Sequence, residues 1–266
     1  MPHDPHRPDP SQFRQRLAAG ERLVGTFIKT PSSHAAEIIG DVGFDFVIID
    51  EEHAPFDRVA TDAALLGARA AGTAGIVRVA SSDAAHILAA LDDGAIGIMM
   101  PHVDSAAKAR QLVACARYRK GRRGYSNSPR AGRYGGKDFA THIEEADAQT
   151  TVIAMIEDAE ALDEIDAIAA VEGLDAIFIG RADLTLALGA MALDAAPVQR
   201  AVERICVAAR KASTPVCVPA GGVVERDWYS ALGATVFVVA TDQAFMRRAA
   251  TAALLEIKEA AVDDRY

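Results

Sequence analysis

Eight short apolar runs recur along the chain at nearly even spacing, and they constrain its fold more than any other feature. They are "LVGTFIK", "FDFVIID", "GIVRVA", "IGIMMP", "TVIAMIE", "LDAIFIG", "TPVCVPA" and "ATVFVVA". Each is rich in Val and Ile and apolar almost throughout, as strands of a parallel sheet are when both faces are covered. Between them lie Ala-rich amphipathic stretches such as "HAAEIIGDVG", "DRVATDAALLGARAAG", "DAAHILAALDDG" and "PVQRAVERICVAARKAS". Several end in Gly, the usual C-terminal stop of a helix. Eight strand–helix units in 266 residues match the length and rhythm of a (β/α)₈ barrel. A doubly wound open sheet is the rival, but its first strand normally leads into a Gly-rich phosphate turn. Here that strand ends "FIKTPSSH".

The barrel is expected to occupy residues 15–266 as one domain, with residues 1–14 a disordered tail. The opening "MPHDPHRPDPSQ" is rich in Pro, His and Asp and has no apolar stretch of the signal-peptide kind. His3 and His6 are read there as solvated side chains. No apolar run is long enough to span a bilayer. A formal net charge of −9 argues against non-specific nucleic-acid binding. Cys115, Cys206 and Cys217 lie far apart without CxxC spacing, so a reducing cytoplasm and no structural zinc are expected.

In such a barrel the chemistry sits where strands end and the following loops begin. Those positions hold Lys29, then Asp50, Glu51, Glu52 and His53, then Arg78, His102, Glu157 with Asp158, Arg181 with Asp183, and Asp242. Glu157 and Asp183 stand at neighbouring strand ends and suit one hard divalent cation. The competing reading makes Asp183 the cap of the short helix at "LTLALG" and Glu157 a charge that favours the N-terminus of the next helix. Arg78 lies inside the apolar strand "GIVRVA" and needs an anionic partner, either a carboxylate of the chain or one of a substrate. His53 is the natural general base, since imidazole titrates near neutrality. Asp92 and Asp93 end a helix at "LDDG", where acids oppose the helix dipole. Residues 118–137, "YRKGRRGYSNSPRAGRYGGK", form a long basic connection. It is either a solvated excursion or a flap carrying Arg130 or Arg133 to an anionic substrate or a neighbouring subunit.

The ordered set of these segments resembles the HpcH/HpaI aldolases, metal-dependent pyruvate aldolases. The resemblance runs from "GTFIKTPSSHAAEIIGDVGFDFVIIDEEHAPFD" through "VRVASSDAAHILAALDDGAIGIMMPHVDSAAKA", "RGYSNSPRAGRYG" and "MIEDAEALDEIDAIAAVEGLDAIFIGRADLTLALG" to "ALGATVFVVATD". It covers roughly residues 17–255. It implies a phosphoenolpyruvate/pyruvate-type (β/α)₈ barrel, assembled as a homotrimer or hexamer with exchanged C-terminal helices. It implies Glu157 and Asp183 as ligands of Mg²⁺ or Mn²⁺, with Co²⁺ a third candidate, and Arg78 as the pyruvate-binding arginine. His53 is implied as the base, paired with Asp92 and acting through a water on the metal. Backbone groups at Gly180, Ala182 and Asp183 would receive the pyruvate carboxylate, with Asp50 and Glu52 orienting His53 or the metal's waters.

Three positions depart from the pattern: Met155 replaces a common Gln, Arg181 a Pro, and Pro219 a Leu near the aldehyde pocket. They put substrate preference in question. The expected reaction is cleavage or formation of a 4-hydroxy-2-oxo acid, giving pyruvate and an aldehyde. Alternatives are a Schiff-base aldolase using Lys29, an acyl-CoA lyase of the citramalyl or malyl type, and a pyruvate-binding homologue without turnover. Glu51 is left without a role and is expected to be surface charge.

Overall fold

The computed structural model describes residues 9–263, and in it every one of the eight apolar runs is a strand. They are β1 (Leu23–Ile28), β2 (Phe46–Asp50), β3 (Ala74–Arg78), β4 (Gly97–Met100), β5 (Thr151–Ile156), β6 (Ala176–Ile179), β7 (Val216–Pro219) and β8 (Val236–Thr241). Each pairs in parallel with the next, and β8 closes on β1 to complete the barrel.

Side chains alternate across the barrel wall, so each strand feeds two cores. One parity points inward: Phe46 and Ile48, Ala74 and Ile76, Met99, Ile153 and Met155, Phe178, Cys217, and Val236 and Val238 form a buried interior cluster. The other parity, including Val47, Ile49, Val77, Ile98, Val152, Ile156 and Ile179, packs outward under the helices. Fully burying one such side chain is worth about 1.5–3 kcal/mol. Gly25 makes the interior possible at one point, because a Cβ there would stand 2.4 Å from the Phe46 ring.

The helices that follow the strands are α2 (Ser33–Val42), α3 (Arg58–Ala70), α4 (Ala84–Asp92), α5 (Ala106–Ala116), α7 (Ala161–Ala169), α8 (Arg181–Ala187), α9 (Ala196–Ala212), α10 (Val223–Ala231) and α11 (Asp242–Asp263). Side-chain caps start several of them. Asp57 accepts from the Ala60 amide at 2.8 Å and Asp83 from Ala85 at 2.9 Å, each worth about 1 kcal/mol. Asp242 opens α11 and ties it to β1, accepting from the Lys29 amide at 2.8 Å and the Thr30 amide at 3.1 Å.

Two features depart from expectation. The tail is shorter on its described side: a 3₁₀ turn spans Pro10–Gln12, and α1 (Phe13–Ala18) places Phe13 and Leu17 in the barrel floor. The Phe13 and Phe46 rings lie 5.2 Å apart. His3 and His6 lie outside the described residues. Secondly, α6 (Phe139–Gln149) intervenes between the basic connection and β5. Its residues "FATHIEEADAQ" bury only His142, so its sequence has too little apolar periodicity to announce a helix.

No helix among the described residues is long and apolar enough to cross a membrane. The three cysteines are free and buried.

Candidate active site

The inward parity that fills the barrel continues past its apolar layers and becomes polar at the C-terminal mouth. Phe46 and Ile48 are followed by Asp50, Ala74 and Ile76 by Arg78, and Ile153 and Met155 by Glu157. Asp50 and Arg78 are direct partners in the β2–β3 register. The guanidinium therefore meets the carboxylate side-on, with Nε–Oδ1 at 2.9 Å and Nη2–Oδ2 at 2.7 Å. Lys29, from the end of β1, places Nζ 2.8 Å from the same Oδ2. The backbone amides of Glu52 and His53 donate to Asp50 Oδ1 at 3.2 and 3.1 Å. Burial alone would raise the Asp50 pKa, but Arg78, Lys29 and the His53 amide outweigh it and bring it down to about 2. Asp50 thus stays ionised and fixes three things together: the fork of Arg78, the Lys29 ammonium and the turn that carries His53.

Arg78 is 4% exposed and lies beside the Phe27 ring, with Cζ 4.8 Å from its centroid. With Nε and Nη2 held by Asp50, Nη1 is the group left for other work. It stands 3.1 Å from Glu52 Oε2 and 3.9 Å from the Met155 sulfur. The Glu52 approach is an ion pair without hydrogen-bond alignment, so the buried Oε2 has no hydrogen-bond partner.

Glu157 is 2% exposed at the end of β5. Its Oε1 accepts from the His102 amide at 2.8 Å. Gly180 lies against its other oxygen: a Cβ there would come 2.7 Å from Oε2 and 2.8 Å from the Met155 methyl. Burial raises the Glu157 pKa, opposed by His102 and reinforced by the charges of Glu52 and Asp183. Asp183 sits in the first turn of α8, and that helix is capped by Gly180 with no side-chain capping bond. Asp183 is therefore not the cap of α8 that the competing reading made it. Glu160 precedes α7, three residues beyond Glu157.

Glu157, Asp183 and Glu52 are close enough for their charges to act on one another, and the buried Glu52 Oε2 accepts no hydrogen bond. These oxygen donors and their charge fit a hard divalent cation. No three His, Cys, Asp or Glu side chains among the described residues converge closely enough to hold a metal by themselves. Two protein carboxylates, with substrate oxygens and water completing the shell, is the arrangement this cluster suits.

His102 is a site residue to which sequence reasoning gave no role. It adopts a left-handed φ of 54°, turning its ring over the acids. Nδ1 lies 3.1 Å from both Asp158 oxygens and Nε2 lies 3.7 Å from Glu52 Oε1. Partial burial would lower its pKa, but Asp158, Glu157 and Glu52 together raise it. The available signal was its place directly after the "IMMP" strand.

His53 is 54% exposed, with Nε2 3.7 Å from Glu52 Oε2. Asp92 is elsewhere. It ends α4, and in a barrel helix C-termini return to the face where strands begin. There its carboxylate accepts from Arg123 at 3.2 Å. Asp93 beside it holds Arg58 through two contacts of 2.9 and 3.0 Å. These ion pairs account for acids at an electrostatically unfavourable helix end. No hydrogen bond or ion pair joins His53 to Asp92 among the described residues; the partner of Asp92 there is Arg123.

The basic connection follows α5, so it lies at the strand N-terminal face; a flap over the mouth of its own barrel is excluded, and a solvated excursion or a reach to a neighbouring subunit are the readings left. Arg181 does sit at the mouth, 2.5 Å from Glu225, which also accepts from the Gly221 amide at 2.6 Å. It joins the loops after β6 and β7. Pro219 ends β7, and Ala182 is exposed in the first turn of α8. Glu51 is not surface charge: Oε1 accepts from Thr61 Oγ1 at 2.8 Å, and burial raises its pKa.

Known proteins resemble the chain throughout this framework. The sequence profile described as HpcH/HpaI aldolase/citrate lyase matches residues 23–220. A 5-keto-4-deoxy-D-glucarate aldolase of Shigella dysenteriae serotype 1 (strain Sd197) is 33% identical over 242 residues, 90% of this chain and 94% of that one. The crystal structure of an HpcH/HpaI aldolase/citrate lyase family protein from Burkholderia cenocepacia J2315 superposes with a TM-score of 0.88. It is 31% identical and covers 93% of this chain and 99% of its own. The citrate synthase SbnG superposes with a TM-score of 0.85 at 30% identity, covering 94% and 98%.

Proposed function

The chain belongs to the HpcH/HpaI aldolase/citrate lyase family and is a carbon–carbon lyase of the aldolase class, and on that premise we propose a divalent-metal-dependent aldolase of 4-hydroxy-2-oxo acids. The products are pyruvate and an aldehyde. The observation that carries this reading is the buried Glu157 carboxylate, one oxygen held by the His102 amide and the other set beside Gly180, with Asp183 and Glu52 adding charge. Glu157 and Asp183 would hold the cation, Mg²⁺, Mn²⁺ or Co²⁺. Bound there, it supplies Lewis-acid polarisation of the substrate's 2-oxo group.

The chain's own residues do the rest. Arg78 offers Nη1 to the C2 oxygen, where negative charge develops, and Asp50 keeps that donor in place before substrate arrives. The backbone at Gly180, Ala182 and Asp183 receives the carboxylate at the start of α8. His53 accepts the 4-hydroxyl proton. The C3–C4 bond then breaks, its electrons pass to the C2 oxygen, the aldehyde leaves, and the enolate is protonated at C3. Met155 and Pro219 border the space for the substrate. The Shigella relative's name supports an anionic sugar-acid aldehyde as the second half of the substrate.

A Schiff-base route through Lys29 is disfavoured by its ion pair with Asp50, which stays ionised far below neutrality. The test is a lactate-dehydrogenase-coupled screen of 4-hydroxy-2-oxo acids with several metals. Glu157→Ala and Asp183→Ala should each reduce turnover by at least about 10²-fold, the scale of a lost charge-stabilising group. EDTA should abolish activity and Mn²⁺ or Mg²⁺ restore it. Full activity in both variants, or borohydride trapping of pyruvate on Lys29, would sink the proposal.

A further inference from the structure

Lys29 is a cation at the barrel mouth that the aldol chemistry does not use. It continues the inward parity of β1 after Leu23 and Phe27, and so joins the polar layer of Asp50, Arg78 and Glu157. Its backbone is pinned, because the amides of Lys29 and Thr30 both donate to the Asp242 carboxylate. Its side chain is 24% exposed, whereas its partner Asp50 is sealed from solvent. The ammonium is thus within reach of a ligand entering the mouth.

Lys29 is not needed to complete Asp50. A carboxylate offers about four lone-pair positions. The Arg78 fork and the amides of Glu52 and His53 already fill them. Lys29 approaches Oδ2 as a fifth donor, at 2.8 Å, so one negative charge faces two positive ones. Arg78 has a second counter-charge in Glu52, at 3.1 Å. Among the described residues Asp50 is the one acid that the Lys29 ammonium reaches. An ammonium carries three N–H groups, so donors are left over for a ligand. Arg181, another cation at the mouth, is neutralised by Glu225 at 2.5 Å and is 12% exposed.

Barrel order sets where the Lys29 charge meets a substrate. In a closed barrel of eight strands, β1 lies beside β2 and across from β5. On the function proposed above, on which this inference rests, Glu157 at β5 and Asp183 after β6 mark the 2-oxo acid end. Arg78 on β3 takes the C2 oxygen, and His53 after β2 takes the 4-hydroxyl proton. The substrate chain therefore runs from β5 toward β2, and the carbons beyond C4 extend to β1. The inward side chain at the end of β1 is Lys29.

We propose that Lys29 determines specificity for the aldehyde half of the substrate: its ammonium binds a carboxylate at the far end of that half. It selects an anionic aldehyde over a neutral one of similar length through a charge-assisted hydrogen bond.

The test runs in the addition direction on the full-length protein, with Mn²⁺, pyruvate and either succinic semialdehyde or its methyl ester. The two aldehydes differ in charge at the end remote from the reacting carbon. Wild type should favour the anion in kcat/KM. Lys29→Met should reduce that preference about ten- to a hundredfold, the scale of a lost hydrogen bond to a charged group, chiefly through a raised KM for the anion. Lys29→Arg should restore most of it. Any loosening of Asp50 acts on both aldehydes alike and cancels in the ratio.

Metal-dependent exchange of pyruvate methyl protons for deuterium needs no aldehyde, so it reads the aldol centre separately. Absence of exchange in wild type would overturn the aldolase reading and this inference together. Exchange retained with an unchanged preference in Lys29→Met overturns the role of Lys29 alone. A wild type that favours the ester, or uses no anionic aldehyde, does the same. Loss of the preference in Arg181→Gln but not in Lys29→Met would assign the anion to the loop after β6 and equally reject the proposal.

Discussion

Asp50 shows how one buried residue sets both stability and chemistry. Its carboxylate holds Arg78, Lys29 and the amide of His53, so removing its charge leaves a buried guanidinium without its main partner. Its pKa falls from an ordinary carboxylate value to about 2. A depressed folded-state pKa gives stability that is present in full above the unfolded value, near pH 4, and is lost as pH falls toward 2. The shift corresponds to about 2 kcal/mol. Asp50→Asn should therefore lower the melting midpoint at pH 7 by roughly 4–8 °C for a domain of this size. The gap to wild type should close as pH is taken from 4 to 2. A gap that is constant across that range in thermal melts would show that Asp50 acts through packing rather than charge. The same variant should lose turnover, because the Arg78 donor is then no longer fixed.

At the scale of elements, the strands were fully legible and the connections were not. Parallel strands buried on both faces write themselves as apolar runs, and all eight appear where "FDFVIID", "TVIAMIE" and the others predicted. The mouth residues were legible for a related reason: inward parity carries Asp50, Arg78 and Glu157 to one end. The role of His102 depends on a left-handed turn that no pattern in "MMPHV" announces. Which face a loop occupies follows from chain order alone. A helix-to-strand connection belongs at the N-terminal face, which removes Asp92 and residues 118–137 from the mouth of their own barrel. That connection is also built rather than slack. The Gly135 amide donates to the Asn127 carbonyl at 2.7 Å, and Asn127 Nδ2 donates to the Lys137 carbonyl at 3.3 Å. At Gly132 a Cβ would stand 2.1 Å from the Asn127 carbonyl oxygen. Gly132→Ala should open this loop at a cost of about 1–3 kcal/mol, as overpacking does. Limited proteolysis should then cut between residues 118 and 137 faster than in wild type, with the barrel fragments intact. Equal cleavage rates would mean that the loop absorbs the methyl group elsewhere.

At the scale of the whole molecule, α11 and the separation of His53 from Asp92 point the same way. The first residue of α11 is locked to β1 through Asp242, but further along it Met246, Leu254, Leu255 and Ile257 are each at least half exposed. A helix that leaves four such residues in water, three of them within one turn at 254–257, is missing a partner surface. A second copy supplying its own helix is the homo-oligomer that the family resemblance implies. A His53–Asp92 pair would likewise join two copies, since in its own chain Asp92 is held by Arg123. The expected outcome is that light scattering coupled to gel filtration gives a mass that is a multiple of 28.1 kDa. Leu254→Glu with Ile257→Glu should shift it toward the single-chain mass, since a charge buried in an apolar interface costs several kcal/mol. Turnover should fall with assembly, although the altered residues are remote from Glu157. A monomeric wild type with full activity would remove both the helix exchange and any need for Asp92 in proton transfer.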